Sequence, residues 1–301
     1  MAGMVEQWLL EGDPAVRWRV LRDLSGAPDE VVRAERARVA TDGWGARLLA
    51  LQHDNGGWGE GNYSPKWTST TYTLLRLIWL GLLPGHPAAL KACERLWEWQ
   101  SRWRAPETCV VSILVRVTSD SGYPAGRLDE MVAHLLDRQQ DDGGWNCRSK
   151  TGTDVHGSFH TSILALEALS AYAARGGPID MSAAAHRGRD FFLNHRLYQS
   201  HRTGAVAIPA STKFPAFPEW HFDVLRGLEY FRAAGVKDDR LVDAVRTVRN
   251  RRRPDGRWST YSPYAGKQFF AIEPPGPSRW NTARALTVLK WWDEAEAPSQ
   301  S

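Results

Sequence analysis

The side chains best suited to chemistry in this 301-residue chain include its three cysteines, Cys93, Cys109 and Cys147. Three is too few, and an odd number, for a disulfide framework, so we expect a reducing, cytoplasmic compartment and a chemical role for any functional cysteine. Cys93 lies within the predicted helix LKACERLW, where packing is a sufficient role. Cys109 and Cys147 are therefore the candidates for chemistry.

His221 and Asp223 are the candidates for general acid and base catalysis. Asp223 precedes the apolar segment VLRGLEYF, so its charge must be paired or must face a cavity if that helix is buried. We expect these two residues to transfer protons. The alternative is an ion pair of Asp223 with Arg226 or Arg284 that holds neighbouring helices together.

Three similar turns indicate the framework that positions these residues. They read LLALQHDNGGW at 48–58, LLDRQQDDGGW at 135–145 and VRTVRNRRRPDGRW at 245–258. In each, a helical pattern reaches a Gly turn and then Trp, and the glycine ends the helix because the C-terminal cap needs positive φ. The spacing predicts repeated helical hairpins of about 45 to 55 residues.

The segments between the turns predict helices throughout. Apolar residues recur at helical spacing in Asp13–Leu24, Thr70–Leu83, Ala88–Trp99, Thr108–Val117, Leu128–Arg138, Phe159–Ala174, Ala183–Leu197, Trp220–Ala233, Leu241–Arg251 and Asn281–Trp292. Thr70–Leu83, Thr108–Val117 and Phe159–Ala174 carry few charges, which is typical of buried inner helices. Extended segments are expected only at Ala205–Pro209 and Trp258–Tyr264. The sequence therefore predicts an all-α fold.

The Gln-x-x-x-Gly-Gly-Trp turns resemble the repeat of the terpenoid cyclase and protein prenyltransferase β-subunit superfamily, over about Leu48 to Trp292. The segments EGDPAVRWRVLRDL, FFLNHRLYQSHRTG, FPEWHFDVLRGLEYF and PSRWNTARALTVLKWW look like bacterial squalene-cyclase-like proteins of unassigned function. The resemblance implies one α/α toroid domain of about five to six helical hairpins around a central cavity. Its expected parts are entry helices at 1–52, repeats at 48–292 and a disordered tail at 295–301.

The resemblance also implies a zinc site. Prenyltransferase β-subunits hold zinc with an Asp-x-Cys pair at the start of one inner helix and a histidine near the start of the next. The matching residues are Glu107, Cys109 and His160, with Cys147 on the connection between the two helices. Two thiolates, an imidazole and a carboxylate form a set that zinc accepts. The alternative is that both cysteines are small buried hydrophobes and His160 is a hydrogen-bonded core residue.

The family context gives two hypotheses for function. The Asp-x-Asp-Asp acid motif of triterpene cyclases does not occur in the sequence, which excludes a squalene-hopene cyclase of that type. We expect an enzyme of terpenoid cyclase or prenyltransferase ancestry that acts on a small apolar or isoprenoid-like substrate. The alternative is a non-catalytic toroid that binds a lipid, a peptide or a protein.

A mouth of aromatic residues is expected to hold that ligand. Its predicted substrate-binding residues are Trp67, Tyr72, Phe159, Trp220, Trp280 and Arg284. Cations in the loops could add a phosphate or other anion site; these are Lys66, Arg148, Lys150, His201, Arg202, Lys213 and Lys267.

The charge pattern argues against two further classes of partner. A net charge of +4 invites a nucleic-acid role, but the densest basic cluster, Arg249 with Arg251–Arg253, ends an outer helix, where cations complement the helix dipole. No recognised nucleic-acid motif accompanies it. The longest apolar run, LIWLGLL at 77–83, is too short to span a bilayer. We therefore expect neither nucleic-acid binding nor a transmembrane segment.

Overall fold

The computed structural model describes residues 2–102, 107–147, 156–261 and 264–294. The predicted disordered tail at 295–301 lies outside these residues. The helices of the described part are α1 (Ala2–Leu10), α2 (Pro14–Asp23), α3 (Asp29–Ala37), α4 (Gly43–Leu49), α5 (Thr70–Leu80), α6 (Pro87–Gln100), α7 (Thr108–Ser121), α8 (Leu128–Asp137), α9 (Phe159–Ala174), α10 (Ser182–Asn194), α11 (Val224–Ala233), α12 (Val242–Asn250) and α13 (Arg279–Asp293). The all-α prediction is confirmed.

Extended structure is confined to a short antiparallel pair in the described residues. Strand β1 (Trp258–Ser259) pairs with β2 (Pro277–Ser278), and Trp258 lies opposite Ser278. The extended segment predicted at 205–209 contributes only an isolated bridge between Gln199 and Val206. None of the described helices is long and apolar enough to cross a membrane.

The first Gln-Gly-Trp turn shows why its residue types are needed. The Trp58 indole Nε1 donates to the carbonyl of Leu48, 2.7 Å away, and so satisfies a carbonyl at the end of α4. The Gln52 amide donates to the carbonyls of Gly56 at 2.9 Å and Ala88 at 2.8 Å. The turn therefore joins the end of one helix to the beginning of α6.

The same bonds recur in the other two turns. Trp145 Nε1 donates to Leu135 at 2.7 Å, and Trp258 Nε1 donates to Val248 at 2.8 Å. In the third turn Arg252 replaces glutamine, and its Nε donates to the glycine carbonyl four residues later at 3.2 Å. The third, degenerate copy of the repeat is therefore a structural copy as well.

Each turn also fixes the helix that follows it. The tryptophan backbone N–H donates to a buried hydroxyl in the first turn of the next inner helix or one turn in, and the pairs are Trp58 with Thr70 at 3.1 Å, Trp145 with Ser162 at 2.8 Å and Trp258 with Thr282 at 2.9 Å. These hydrogen bonds fix the position of each turn relative to the start of the helix that follows it. The inner helices α5, α9 and α13 are thereby set against α4, α8 and α12.

The buried helices of the described residues pack against one another in two groups. Helix α7 packs against α5 and α9, and α11 packs against α13. Helix α13 also packs against α1 and α2, so the first and last helices of the chain meet. The contact between the chain ends is one that a ring requires, and the toroid itself stays a prediction.

One predicted helix begins later than expected. The prediction was Trp220–Ala233, with residues 220–223 as its first turn, but α11 begins at Val224. Asp223 instead caps the helix, because its Oδ1 accepts a hydrogen bond from the Arg226 backbone N–H at 2.9 Å. Trp220 and His221 consequently belong to the loop that precedes α11.

Candidate functional site

Three of the four predicted metal ligands lie together at the start of α7. One ligand atom each from Glu107, Cys109 and Cys147 lies within 4.8 Å of the others. The Cys109 backbone N–H donates to the Cys147 sulfur at 3.2 Å, and the Thr161 hydroxyl of α9 lies 3.5 Å from that sulfur. The group can therefore present two sulfurs and a carboxylate to a metal ion.

The two thiols differ in their acidity. A hydrogen bond from the Cys109 thiol, aided by the Thr161 hydroxyl, lowers the pKa of Cys147 to about 7 in spite of its burial. The same bond between the two side chains, together with burial, raises the pKa of Cys109. Cys147 is consequently the sulfur that first becomes a thiolate, the form that binds metals.

His160 lies outside this metal-ligand group. Its Nδ1 accepts a hydrogen bond from the Phe222 backbone N–H at 2.8 Å, and its ring packs edge-on against Trp220 and His221. Burial lowers the pKa of His160 to about 4, so the ring is neutral. His160 thus has a hydrogen-bonded position between α9 and the loop that precedes α11.

His221 is held in a stack of rings. It lies between Trp220, with ring centroids 3.7 Å apart, and Tyr264, with centroids 3.4 Å apart. Its Nδ1 lies 3.2 Å from the Pro218 carbonyl, so Nδ1 carries the proton and donates. Burial, with a contribution from His160, lowers the pKa of His221 to about 3.

Asp223 is fully buried at the start of α11. Its Oδ1 caps the helix, and its Oδ2 has no hydrogen-bond partner among the described residues. Burial raises the pKa of Asp223 to about 6. Asp223 forms neither of the alternative ion pairs with Arg226 or Arg284 in the described residues. Arg226 pairs with Glu167, and Arg284 pairs with Glu229. Asp223 thus caps a helix, and its pKa lies near neutral pH.

The predicted aromatic mouth is largely packed. Trp67 and Tyr72 are buried against each other, and the Trp67 indole donates to the Tyr264 carbonyl at 3.1 Å. Phe159 lies among other rings, 5.5 Å from that of Phe222. Trp220 stacks on His221. These four side chains seal joints between helices, which leaves Trp280 and Arg284 of the predicted set.

Trp280 and Arg284 line a cavity of about 390 Å³ that we name the arginine cavity. Its charged lining consists of six arginines and three acidic residues, namely Arg19, Arg22, Arg116, Arg226, Arg232, Arg284, Asp120, Glu167 and Glu229. They come from α2, α7, α9, α11 and α13. His221 and Asp223 are not among the described lining residues. The cavity therefore lies between five helices, and its described lining has more positive than negative side chains.

Four of these arginines are paired with acids within the protein. One of them, Arg22, donates to the neighbouring Asp23 from Nε and Nη2, both at 2.8 Å.

The other three arginines are paired with acids of the cavity lining. Arg226 forms two hydrogen bonds to Glu167, from Nε at 2.8 Å and Nη2 at 2.5 Å, and Arg116 bonds to the same carboxylate. Arg284 reaches Glu229 from Nε at 2.9 Å and Nη2 at 2.6 Å. Burial alone would raise the pKa of Glu167, but the two guanidinium groups hold it below its ordinary value.

Arg19 on α2 differs from the other cavity arginines. It forms no salt bridge with any acid in the described residues, and its guanidinium donates to the Trp79 carbonyl and stacks on Trp280, 4.9 Å from the ring centroid. Its Nε is buried without a hydrogen-bond partner there. Burial lowers the pKa of Arg19 to about 9. A guanidinium in this condition gains free energy from a bound anion, because burying an unpaired charge is costly.

Two further donors of the cavity lining share this condition. Arg232 Nε and Trp280 Nε1 are buried and lack an acceptor among the residues that the structure describes. Arg232 is only weakly engaged by Asp23, at 3.5 Å. Most buried donors in proteins have an acceptor, so these three donors favour a ligand that is rich in hydrogen-bond acceptors.

Sequence reasoning identified Arg284 as a ligand-binding residue but missed the other five arginines of the cavity. It placed anion binding on loop cations, two of which, Arg148 and Lys150, lie outside the described residues, and none of the others lines the arginine cavity. The signal was present in SILVRVTS, where Arg116 interrupts an otherwise apolar helix. A lone charge inside a buried helix indicates a paired or functional group.

No protein-family model matches this chain, and no curated protein matches it. The superfamily resemblance consequently depends on the turn motifs, and it stays a prediction.

Proposed function

We propose that the protein binds a small organic anion in the arginine cavity. The observation that carries the proposal is Arg19, a charged side chain without an acidic partner in the described structure, beside a cavity whose lining has twice as many arginines as acids. Arginine pairs with carboxylate and phosphate oxygens through two parallel N–H groups. The anionic group of the ligand would bind there.

The rest of the cavity favours a ligand with an apolar body. Trp79 and Phe217 stack with ring centroids 5.9 Å apart, and Trp280 packs 5.6 Å from Phe217. All three rings line the cavity, whose volume is in the range of small-molecule sites. We therefore narrow the expected isoprenoid-like ligand to one that carries a phosphate or carboxylate, since a neutral ligand would leave Arg19 unpaired.

Proton transfer remains part of the enzyme hypothesis. Asp223 has a pKa near neutral and an unsatisfied oxygen, which are properties of a general acid or base, and His221 stays its proposed companion. Neither residue lines the cavity, whereas the binding proposal depends only on residues that do. Anion binding is accordingly the function that we propose. Catalytic turnover is a further hypothesis, and it requires Asp223 as the general acid or base.

The test compares ligands that differ only in charge. Geranyl monophosphate, geraniol and inorganic phosphate are titrated into the protein by calorimetry. We expect geranyl monophosphate to bind at least tenfold more tightly than geraniol, because one arginine–phosphate pair is worth more than about 1.4 kcal/mol. Equal binding of the alcohol would contradict an anion site, and phosphate binding as tightly as the ester would contradict the apolar contribution.

We also propose that Glu107, Cys109 and Cys147 hold a zinc ion. The supporting observation is the 4.8 Å grouping of their ligand atoms, with a sulfur whose pKa is lowered to about 7. A site with three protein ligands leaves a position for water, and bound zinc lowers the pKa of such a water. In this proposal Cys147 takes the place that the resemblance gave to His160.

Elemental analysis decides the zinc proposal. Protein purified without chelator is expected to contain close to one zinc per chain, and the C109S and C147S variants to contain almost none. The C93S variant serves as the control, because Cys93 is buried beside the Val117 carbonyl, away from the group. Zinc-free wild-type protein that also fails to take up added zinc would overturn the site.

A further inference from the structure

Glu219 is a buried acid whose surroundings differ from those of the cavity. It lies in the loop before α11, it is 2% exposed, and its φ of 56° is in the left-handed region. That region is unfavourable for a residue with a side chain, so the surrounding contacts must hold it. The loop therefore places this one carboxylate in a fixed position.

One of the two carboxylate oxygens of Glu219 has hydrogen-bond partners, and the other has none among the described residues. Its Oε1 accepts hydrogen bonds from Arg76 of α5, from Nε at 2.7 Å and from Nη2, and its backbone carbonyl accepts from Arg226 Nη1 at 3.0 Å. Its Oε2 is buried and has no hydrogen-bond partner among the described residues. A buried carboxylate oxygen without a donor is energetically costly, so a ligand that supplies a donor is favoured there.

Glu219 also lines a small pocket of about 180 Å³, which we name the Glu219 pocket. Its apolar lining is Ala216, Phe217, Phe270, Ala271 and Ile272. Its polar lining is Arg76, Glu219, Thr260, Tyr261, Gln268 and Glu273. Tyr261 and Ala271 are exposed, so the pocket opens to solvent on their side.

The charges of this pocket favour a cation. The described lining contains one arginine and two acids. Glu273 already accepts hydrogen bonds from Ser278 and from the backbone N–H groups of Arg279 and Trp280. The Glu219 Oε2 is therefore the acceptor left for a ligand, in a lining with one more negative than positive group.

We infer that the Glu219 pocket binds a primary ammonium group, with its alkyl chain against Phe217, Phe270 and Ile272. An ammonium group supplies the donor that Oε2 lacks and balances the second acid of the lining. Burial raises the pKa of Glu219 to about 7 in spite of Arg76, so the Arg76 guanidinium offsets only part of the cost of burying this charge. A neutral alcohol would supply a donor without the charge.

The Glu219 pocket and the arginine cavity are neighbours, but each is the basis of a separate proposal. The two share Ala216 and Phe217 in their linings, but they have opposite charge excess. Failure of anion binding in the arginine cavity would leave the ammonium inference standing, and the reverse is also true.

The test uses n-butylammonium chloride as probe, n-butanol as its neutral analogue, and binding followed by protein NMR or calorimetry. We expect n-butylammonium to bind at least tenfold more tightly to wild type than to E219Q, and n-butanol to bind both proteins equally weakly. The matched control is E130Q, because Glu130 is an exposed acid paired with Arg127 on the surface. E130Q is expected to bind n-butylammonium as wild type does.

A second variant covers the case in which E219Q does not fold. A271L enlarges an exposed side chain at the pocket rim without altering Glu219, and we expect it to weaken n-butylammonium binding at least fivefold. Equal affinity of n-butylammonium and n-butanol for wild type would overturn the ammonium assignment. Binding that is unchanged in A271L, or absent in wild type, would overturn the pocket as a site.

Discussion

At the scale of single residues, burial shifts the pKa values of several titratable groups at the start of α9 and in the loop before α11. Each shift favours the neutral form of the group. Burial lowers the pKa of His160 and His221 and raises that of Asp223 and Glu219. The two kinds of group have opposite effects on stability. Neutral histidines stabilise the fold above pH 6.5, and neutral acids stabilise it at low pH.

His160 allows a direct measurement of one of these effects. Its pKa falls from the ordinary 6.5 to about 4. The contribution of the neutral ring to the free energy of unfolding is therefore complete above pH 6.5 and is lost as the pH decreases toward 4. H160N keeps an acceptor for the Phe222 N–H but cannot be protonated. We expect urea unfolding to show that wild type loses up to about 1.4 kcal/mol per pH unit relative to H160N between pH 6.5 and 4.

The control for this measurement is H186N, since His186 is an exposed residue beside Asp190 on the surface of α10. Its stability should follow that of wild type throughout. Parallel curves for wild type and H160N would show that His160 keeps an ordinary pKa, and the buried hydrogen bond to Phe222 would lose its support.

At the scale of elements, the Gln-Gly-Trp turns explain how much of the fold the sequence predicts. Local rules determine where helices end at these turns, and α9 matches its predicted range Phe159–Ala174 at both ends. The start of α11 was misplaced because its apolar pattern extends through Trp220 and Phe222, whereas Asp223 caps the helix after them. Periodicity cannot distinguish a buried loop from a helix when both are apolar.

The indole hydrogen bond is the testable part of the turn. W145F keeps an aromatic ring but removes the donor to the Leu135 carbonyl, which would remain buried and unsatisfied. We expect W145F to lower the free energy of unfolding by about 2 kcal/mol in urea denaturation. W291F, at a half-buried tryptophan of α13, is the control and should lose about 1 kcal/mol or less. Equal losses would contradict a specific role for the indole N–H.

At the scale of the whole molecule, the proposed anion binding depends on residues that are distant in sequence and lie close together in the fold. The few charges of the inner helices were predicted, but Arg116, Arg226 and Arg284 meet at one cavity because of the rotation of each helix about its axis. That rotation is set by packing between helices, which the sequence pattern does not contain. The position of Arg19 at the cavity could not be predicted either, because α2 was predicted only as an entry helix.

The candidate site was accordingly predicted in part. Glu107, Cys109 and Cys147 come together as expected, because each lies next to a helix start or a turn whose position the sequence indicates. Four residues of the predicted aromatic mouth pack between helices, and the arginines of our anion-binding proposal lie on helices and not in loops. Local signals located the thiols, whereas burial and pairing of charges became visible only in three dimensions.

The central claim is that Arg19 binds an anion, and calorimetry of the R19Q variant tests it most directly. Geranyl monophosphate is titrated into wild type, R19Q and R127Q, where Arg127 is an exposed arginine paired with Glu130 on the surface. We predict that R19Q binds the ester at least tenfold more weakly than wild type and that R127Q binds it equally well. Unchanged affinity in a folded R19Q protein would contradict the account.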